Sequence, residues 1–547
     1  MSVRNRLFLP IVGSLLVILA GCGGNGSSAH VTPPPGGSFS NSNLKGTYVF
    51  SFSGTDTANV GFFTIGGSFV ADGNGGITSG IFDIADSATG VMPGNMITSG
   101  GGYSISADGR GRGTLVSSGA TIGLDFVLSS NSHGMVMRFD NSGTGSGTLD
   151  LQDTTVTQAN LTSYAFSLSG VDSGSNPFLS EGMFTLNGGT GISAGLQDFN
   201  DNNDSTNLTG LALTGSLSLG SGGPGTAQFN AGNSPFGTLT FDVWAIDATH
   251  LKFIEIDGTQ ILGGDAFTLA TLPSGAQQFV YTMAGLDNST LRGLFSAGGY
   301  VSYDGSGVIG PNGFEDINDS GTLGQSTTVG GTLAASGAGR YQLTVSGFQN
   351  GINGGSGTYS FVGYPFSSGS TVGLLLMETD GAAVTSGTAF VQTSQTFTSG
   401  QGYGFNLTGA NAGGEVDEIA EFTANSSGAL SNGVIDENDE NNDTGNFLVY
   451  QQALGTGGTY TYDSPATGRG VLAYPNINST FNGTLNLAFY VIDGSNVIFI
   501  DGDNGQVGVG EFQQQTASSS QAAALAHTQA HMSLLKAVTS TRARRGK

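Results

Sequence analysis

A short acidic stretch that occurs four times is the most regular set of residues in this chain equipped for chemistry. The copies run Gly80 to Asp86, Gly195 to Asp201, Gly313 to Asp319 and Gly433 to Asp439, on the pattern G-x-x-D-x-[NA]-D. Asp and Asn at alternate positions resemble the start of a calcium loop, D-x-[DN]-x-[DN]-G, whose oxygens converge once the backbone curls. The calcium candidates are therefore Asp198, Asn200 and Asp201, then Asp316, Asn318 and Asp319, then Asp436, Asn438 and Asp439. The third copy comes closest, because Ser320 and Gly321 follow it. No copy has the bidentate glutamate of a calcium loop, and the first has Ala85 where Asn stands elsewhere. A strand ending in an Asx-stabilised turn is the more economical reading.

A second set of recurring residues invites an ion pair. Arg112, Arg340 and Arg469 open corresponding stretches, with Thr226 in their place in the second copy. An acid-x-Asp pair closes an apolar run at Glu255 and Asp257, Glu378 and Asp380, and Asp501 and Asp503, with Arg138 and Asp140 in the first copy. An arginine tied to a recurring carboxylate such as Glu255, Glu378 or Asp501 is expected to join neighbouring strands. Paired carboxylates also fit a glycosidase, which needs an acid and a base or nucleophile about 5 to 10 Å apart. Four near-copies of one fold match a single active site poorly. Nucleophilic chemistry is still less supported: His30, His133 and His250 stand apart, and His527 and His531 have no further ligand nearby in sequence. The single tryptophan, Trp244, reads as core or barrel-rim filling rather than a sugar platform.

The elements that must position these residues are strands. Tyr48, Phe50 and Phe52 alternate with Val49, Ser51 and Ser53, and the same alternation opens at Tyr164, Phe279 and Tyr403. A period of two with large residues on one face predicts a strand with one side in a core and the other in water. The opening aromatics lie 116, 115 and 124 residues apart, the length of a whole small domain. Asp72-Gly73, Asn187-Gly188, Asp304-Gly305 and the turn at Asn425 to Gly428 mark hairpins just before each acidic stretch. Each acidic stretch is thus expected at the far end of a returning strand. Counting turn signals gives about eight strands per repeat and no helical period. The predicted fold is all-β: four tandem antiparallel meander barrels, with two-sheet sandwiches as the alternative. The repeats are expected at 44–154, 161–270, 276–392 and 401–515.

The N-terminus supplies an address. Arg4 and Arg6 precede an apolar run from Leu7 to Leu19 and then small residues, the anatomy of a secretory signal over residues 1–21. Its end, Leu19-Ala20-Gly21-Cys22, resembles the lipobox of bacterial lipoproteins; that resemblance implies a lipidated Cys22, and Gly23 after it implies the outer membrane. Cys22 is the only cysteine, so no internal disulfide is available to an exported chain. Residues 22–43, rich in Gly, Ser and Pro, read as a tether. The sequence Y-x-F-S-x-S-G, D-G-x-G-x-I, G-x-x-D-x-N-D and G-R-G-x-L resembles repeats of uncharacterised bacterial lipoproteins across residues 44 to about 515, and the resemblance implies no activity.

Charge excludes one class of partner. The net charge of −25 makes a nucleic-acid partner unfavourable and leaves cations, envelope polysaccharide or protein, and a membrane reached through the lipid anchor. Residues 516–547 change in character, with a helix candidate over Gln521 to Val538 and a basic end from Arg542 to Lys547. Together these features predict an envelope lipoprotein presenting β modules for binding, adhesion or structural display, without catalysis. A calcium-stabilised carbohydrate-binding protein and a glycan hydrolase are the alternatives.

Overall fold

The computed structural model describes residues 32–517, apart from 58–60, 202–207, 221–223, 287–292, 350–355, 381–382, 442–444, 464–466 and 476–483. The expected signal segment, Cys22, His30 and the segment from 518 onward, with His527 and His531, lie outside the described residues.

Alternation of large apolar residues with small ones builds strands that pair mainly with their sequence neighbours, and the pairing curls; Thr268 and Leu269 at the end of the second unit also pair with Ser367 and Phe366 of the third. The opening strands are Lys45–Asp56, Ser163–Val171, Gln277–Leu286 and Gln401–Asn411. Each pairs antiparallel with the second strand of its unit and also with the last, which brings the two ends of the meander together. In the second and third units every consecutive pair is hydrogen-bonded, so eight strands close into a barrel. The first and fourth units have nine strands curled around a seam that isolated bridges span, Gly76 to Gly102 and Ile97 to Ser117 in one and Ala429 to Thr459 in the other. The architecture is all-β and multi-barrel.

Each unit has its own interior. Tyr48, Phe50, Phe52, Phe69 and Phe126 fill the first, and Tyr403, Phe405, Phe422, Phe489 and Phe512 fill the fourth. Opposite them stand residues expected to face water, and here the structure differs. Ser51, Ser53, Thr55, Thr144 and Ser146 are fully buried. Their strand faces pack against a neighbouring barrel, which explains why small residues alternate with the aromatics: two barrel walls approach closely only where side chains are short.

The barrels form a ring. Apolar residues join the first unit to the second (Val49, Phe62, Ala85, Trp244, Ile254), and a larger cluster joins the second, third and fourth. Val127, Met135 and Met137 of the first unit meet Ile419 of the fourth. The ends of the units repeat one bonding scheme. Gln152 Nε2 donates to Ala245 O at 2.7 Å, and Gln392 Nε2 donates to Val491 O at 2.7 Å, each reaching the following barrel. Gln515 Nε2 donates to Leu128 O at 3.0 Å, so the end of the fourth unit grips the first much as a connecting segment grips its successor. The backbone repeats this: Asp153 N to Ile246 O, Thr393 N to Ile492 O and Thr516 N to Ser129 O.

Candidate functional site

The acidic stretches lie on the third strands, Ile77–Asp86, Ala194–Asp201, Val308–Asp319 and Leu430–Asn441, toward the ends of returning strands. Pairing to the fourth strand slips beside Asp83, Asp198 and Asp436, a β-bulge that re-aims the side chain. Across the bulge stand Gly94, Gly210 and Gln451 with φ of 72°, 66° and 53°, a left-handed backbone that turns the N–H toward the carboxylate. Those N–H groups donate to Asp83 at 2.6 Å, Asp198 at 2.6 Å and Asp436 at 2.5 Å. In the third unit the Gln325 side chain replaces them, donating to Asp316 at 2.8 Å.

So aimed, each aspartate reaches the next barrel. Arg340 of the third unit makes two 2.9 Å hydrogen bonds to Asp198 of the second, and the Tyr364 hydroxyl also donates to Asp198. Arg469 of the fourth binds Asp316 of the third at 2.6 and 2.7 Å, with the Tyr490 hydroxyl in the corresponding place. Arg110 of the first binds Asp436 of the fourth at 2.7 Å. Burial works against the charge on Arg469, but the hydrogen bonds and charge of Asp316 more than offset it and hold the guanidinium above its usual range. Burial outweighs Arg110 at Asp436, whose carboxyl is raised.

The asparagine two residues on completes the lock. Asn200 Nδ2 donates to the carbonyls of Glu378 and Ala383, Asn318 to those of Asp501, Asp503 and Gln506, and Asn438 to those of Arg138 and Gly143. Each time the acceptors include two residues five apart that flank the last hairpin of the following barrel. The stretch is a bipartite connector, one acid for an arginine and one amide for a hairpin.

Three expectations are corrected by this geometry. Arg340 and Arg469 pair with the acidic stretch of the preceding unit rather than with Glu255, Glu378 or Asp501. In the first unit the connector is Arg110, because Arg110-Gly111-Arg112-Gly113 offers two registers two residues apart. Arg112 instead binds Asp125 of its own unit at 2.8 Å and lies 3.7 Å from the Tyr450 ring centroid. The histidines do not stand apart either. His133 meets Asp150 and His250 meets Asp265, both at 2.7 Å, and Lys252 bridges the two units through Asp265 at 2.9 Å and the Thr148 hydroxyl at 2.7 Å. Trp244 is buried against the first unit.

The calcium candidates do not converge. Alternate residues of an extended strand lie about 6.6 to 6.8 Å apart, and the backbone stays extended through all four stretches. Asp198 and Asn200 face the next barrel; Asp201, Asp319 and Asp439 fall on the opposite face, where Asn411 reaches Asp439 at 3.2 Å. Among the described residues no group of three His, Cys, Asp or Glu side chains is placed to hold a metal ion. Glu255, Glu378 and Asp501 are buried at the ends of their penultimate strands, and burial pushes Glu255 and Asp501 well above the carboxylate range.

Around the ring axis the four barrels leave a polar cleft of about 1290 Å³. Corresponding turns line it, Ser129 to Ser132, Ile246 to Thr249, Ser368 to Thr371 and Ile492 to Asn496, together with Gln513 and Thr516. Sequence reading missed both the connector and the cleft. The recurring Gln152, Gln392 and Gln515 after the last strand of a unit were the legible trace of ring closure.

No protein-family profile and no curated protein matches the chain. Among solved structures, intact Ap-TbpB with its N and C lobes aligns at 9% identity and a TM-score of 0.16, covering 70% of this chain and 84% of that one. A protein described as AttH from Nitrosomonas europaea aligns at 9% identity and a TM-score of 0.14, covering 46% of this chain and 97% of that one. At such TM-scores the likeness carries no argument about fold or role.

Proposed function

We propose that this chain is an exported protein held to the cell envelope through a lipidated Cys22, and that its ring binds a polar envelope polymer or protein in the axial cleft without transforming it. The observation that carries the binding role is the cleft itself, assembled from corresponding turns of all four barrels. Hydroxyl and amide side chains there match a hydrogen-bonding ligand. The recurring carboxylates that invite a hydrolase or calcium reading hold barrels together instead, which supports binding over catalysis.

Two measurements test the reading. Palmitate labelling of the chain in a bacterial host should be lost in Cys22→Ala; labelling that persists contradicts the anchor. Purified envelope polysaccharide and peptidoglycan should bind the intact chain, and Ser370→Trp, which fills the cleft from an exposed turn, should weaken that binding about ten-fold. Equal binding by the Trp variant removes the cleft, and turnover of either polymer removes the non-catalytic role.

A further inference from the structure

The interior of the third barrel is built differently from the other three. Across the first hairpin of each unit, Tyr48 stands opposite Phe69, Tyr164 opposite Phe184 and Tyr403 opposite Phe422, but Phe279 stands opposite Val301. Two more rings of the second barrel have no counterpart in the third. Phe229 faces Gly215 where Val345 faces Gly331, and Phe253 faces Gly264 where Leu376 faces Gly387. In the second barrel these phenylalanines pack together, with ring centroids 5.3 Å apart for Phe184 and Phe229 and 5.7 Å apart for Phe229 and Phe253.

Three aliphatic side chains in place of three rings leave space. Val301, Val345 and Leu376 all line a cavity of about 50 Å³ inside the third barrel, against about 10 Å³ in the first. A single water needs about 10 to 15 Å³ on this measure, so the third barrel has room for about three to five heavy atoms. Close-packed interiors rarely keep a void of that size. Val301 and the neighbouring Tyr303 are only half-buried, so the cavity opens at the barrel end that carries the Asp304-Gly305 turn.

The wall is apolar apart from the hydroxyls of Tyr281 and Tyr303. Tyr281 stands where the other units have Phe50, Phe166 and Phe405. It is 5% exposed, and its hydroxyl lies on the inner wall over Gly299, where a Cβ would come within 2.6 Å of it. That hydroxyl has no hydrogen-bond partner among the described residues. An unpartnered buried hydroxyl is costly, and phenylalanine avoids that cost in the other three barrels. Burial, with the Glu315 and Asp316 carboxyls nearby, raises the phenol well above its usual range, so it stays protonated and able to donate.

We infer that the third barrel is a binding site for a small neutral molecule of about three to five heavy atoms, apolar except for one acceptor oxygen that the Tyr281 hydroxyl meets. A short ketone or aldehyde has that chemistry. Val301, Val345 and Leu376 enclose the alkyl part, and Tyr281 selects for the oxygen, since a ligand without one leaves the hydroxyl unpaired. The site shares no lining residue with the axial cleft, so the two are tested separately.

Methyl NMR of the intact chain, read at Leu374 and Leu376, tests the site with two probes: butanone, and its analogue in which a methylene group replaces the carbonyl oxygen. Butanone should shift these signals saturably. Val301→Phe, which restores the ring that the other three units carry at this position, should abolish the shift while the thermal midpoint is kept or raised. Val345→Phe fills the same space from another strand and should do likewise. Tyr281→Phe should weaken butanone about ten-fold and leave the alkene's affinity unchanged. Absence of a saturable shift with either probe overturns the inference and makes the space a packing void. Butanone binding that survives both filling variants places the ligand elsewhere and overturns it too, and equal butanone affinity in Tyr281→Phe removes the hydroxyl and with it the ligand class.

Discussion

Asp198, Asp316 and Asp436 do their work as buried carboxyl groups facing guanidinium groups, and that arrangement fixes what their removal does. A buried pair is weak evidence for stability as a whole, but deleting one partner strands the other charge and costs about 3 to 5 kcal/mol. Arg469→Met should therefore lower unfolding free energy in denaturant by about that amount. Joint replacement of Asp316 and Arg469 by apolar residues of similar volume should restore much of it, as a double-mutant cycle will show. The first junction obeys a different rule. Among the described residues Asp83 faces no arginine; burial and the neighbouring Asp242 carboxyl push it up to about 7. Its folded pKa lies above its unfolded one, so the protonated pair contributes fully below about pH 4 and the contribution fades as pH rises through 7. Asp83→Asn should be close to neutral at pH 4 and should raise the thermal midpoint at pH 8, a gain on the order of 1 to 3 kcal/mol. An unchanged midpoint across this range contradicts the carboxyl pairing.

At the scale of the element, the third strand with its bulge is the part that sequence reading located without understanding. The alternation from Tyr48 to Phe52 made the strands legible, and the Gly-rich turns made the meander legible, because both follow from local backbone physics. The role of Asp198 or Asn318 was not legible, because its partner lies 142 or 183 residues away on another unit. Two departures nevertheless held the answer. Ala85 replaces the asparagine of the first unit, and the second unit lacks the arginine; both belong to the single junction between first and second barrels, where apolar packing by Trp244, Ile254 and Phe62 takes over. Asn318 bridges three carbonyls from the next barrel, so Asn318→Ala leaves buried acceptors unpaired and should cost about 2 to 4 kcal/mol by chemical denaturation. Because the stretch stays extended, adding calcium or a chelator should leave the thermal midpoint unchanged; a rise with calcium means that the oxygens gather in a way the strand geometry does not provide.

For the whole molecule, three junctions join units already consecutive in the chain, and the fourth closes the ring without covalent help. Closure by Arg110, Asn438, Thr144 and Gln515 is therefore the most exposed consequence of the connector. The Thr144 hydroxyl binds Asp417 at 2.7 Å and Thr55 binds Glu415 at 2.6 Å, so this junction has polar contacts beyond the repeating ones. Small-angle X-ray scattering from the chain in solution tests the central claim most directly. The ring predicts a radius of gyration within a few ångström of the roughly 24 Å expected of a compact body this long. In the variant Arg110→Ala with Asn438→Ala it predicts a larger radius and maximum dimension while the circular dichroism of the strands is retained. An elongated unaltered chain, or scattering that the paired substitutions leave unchanged, contradicts a ring closed by the acidic stretches.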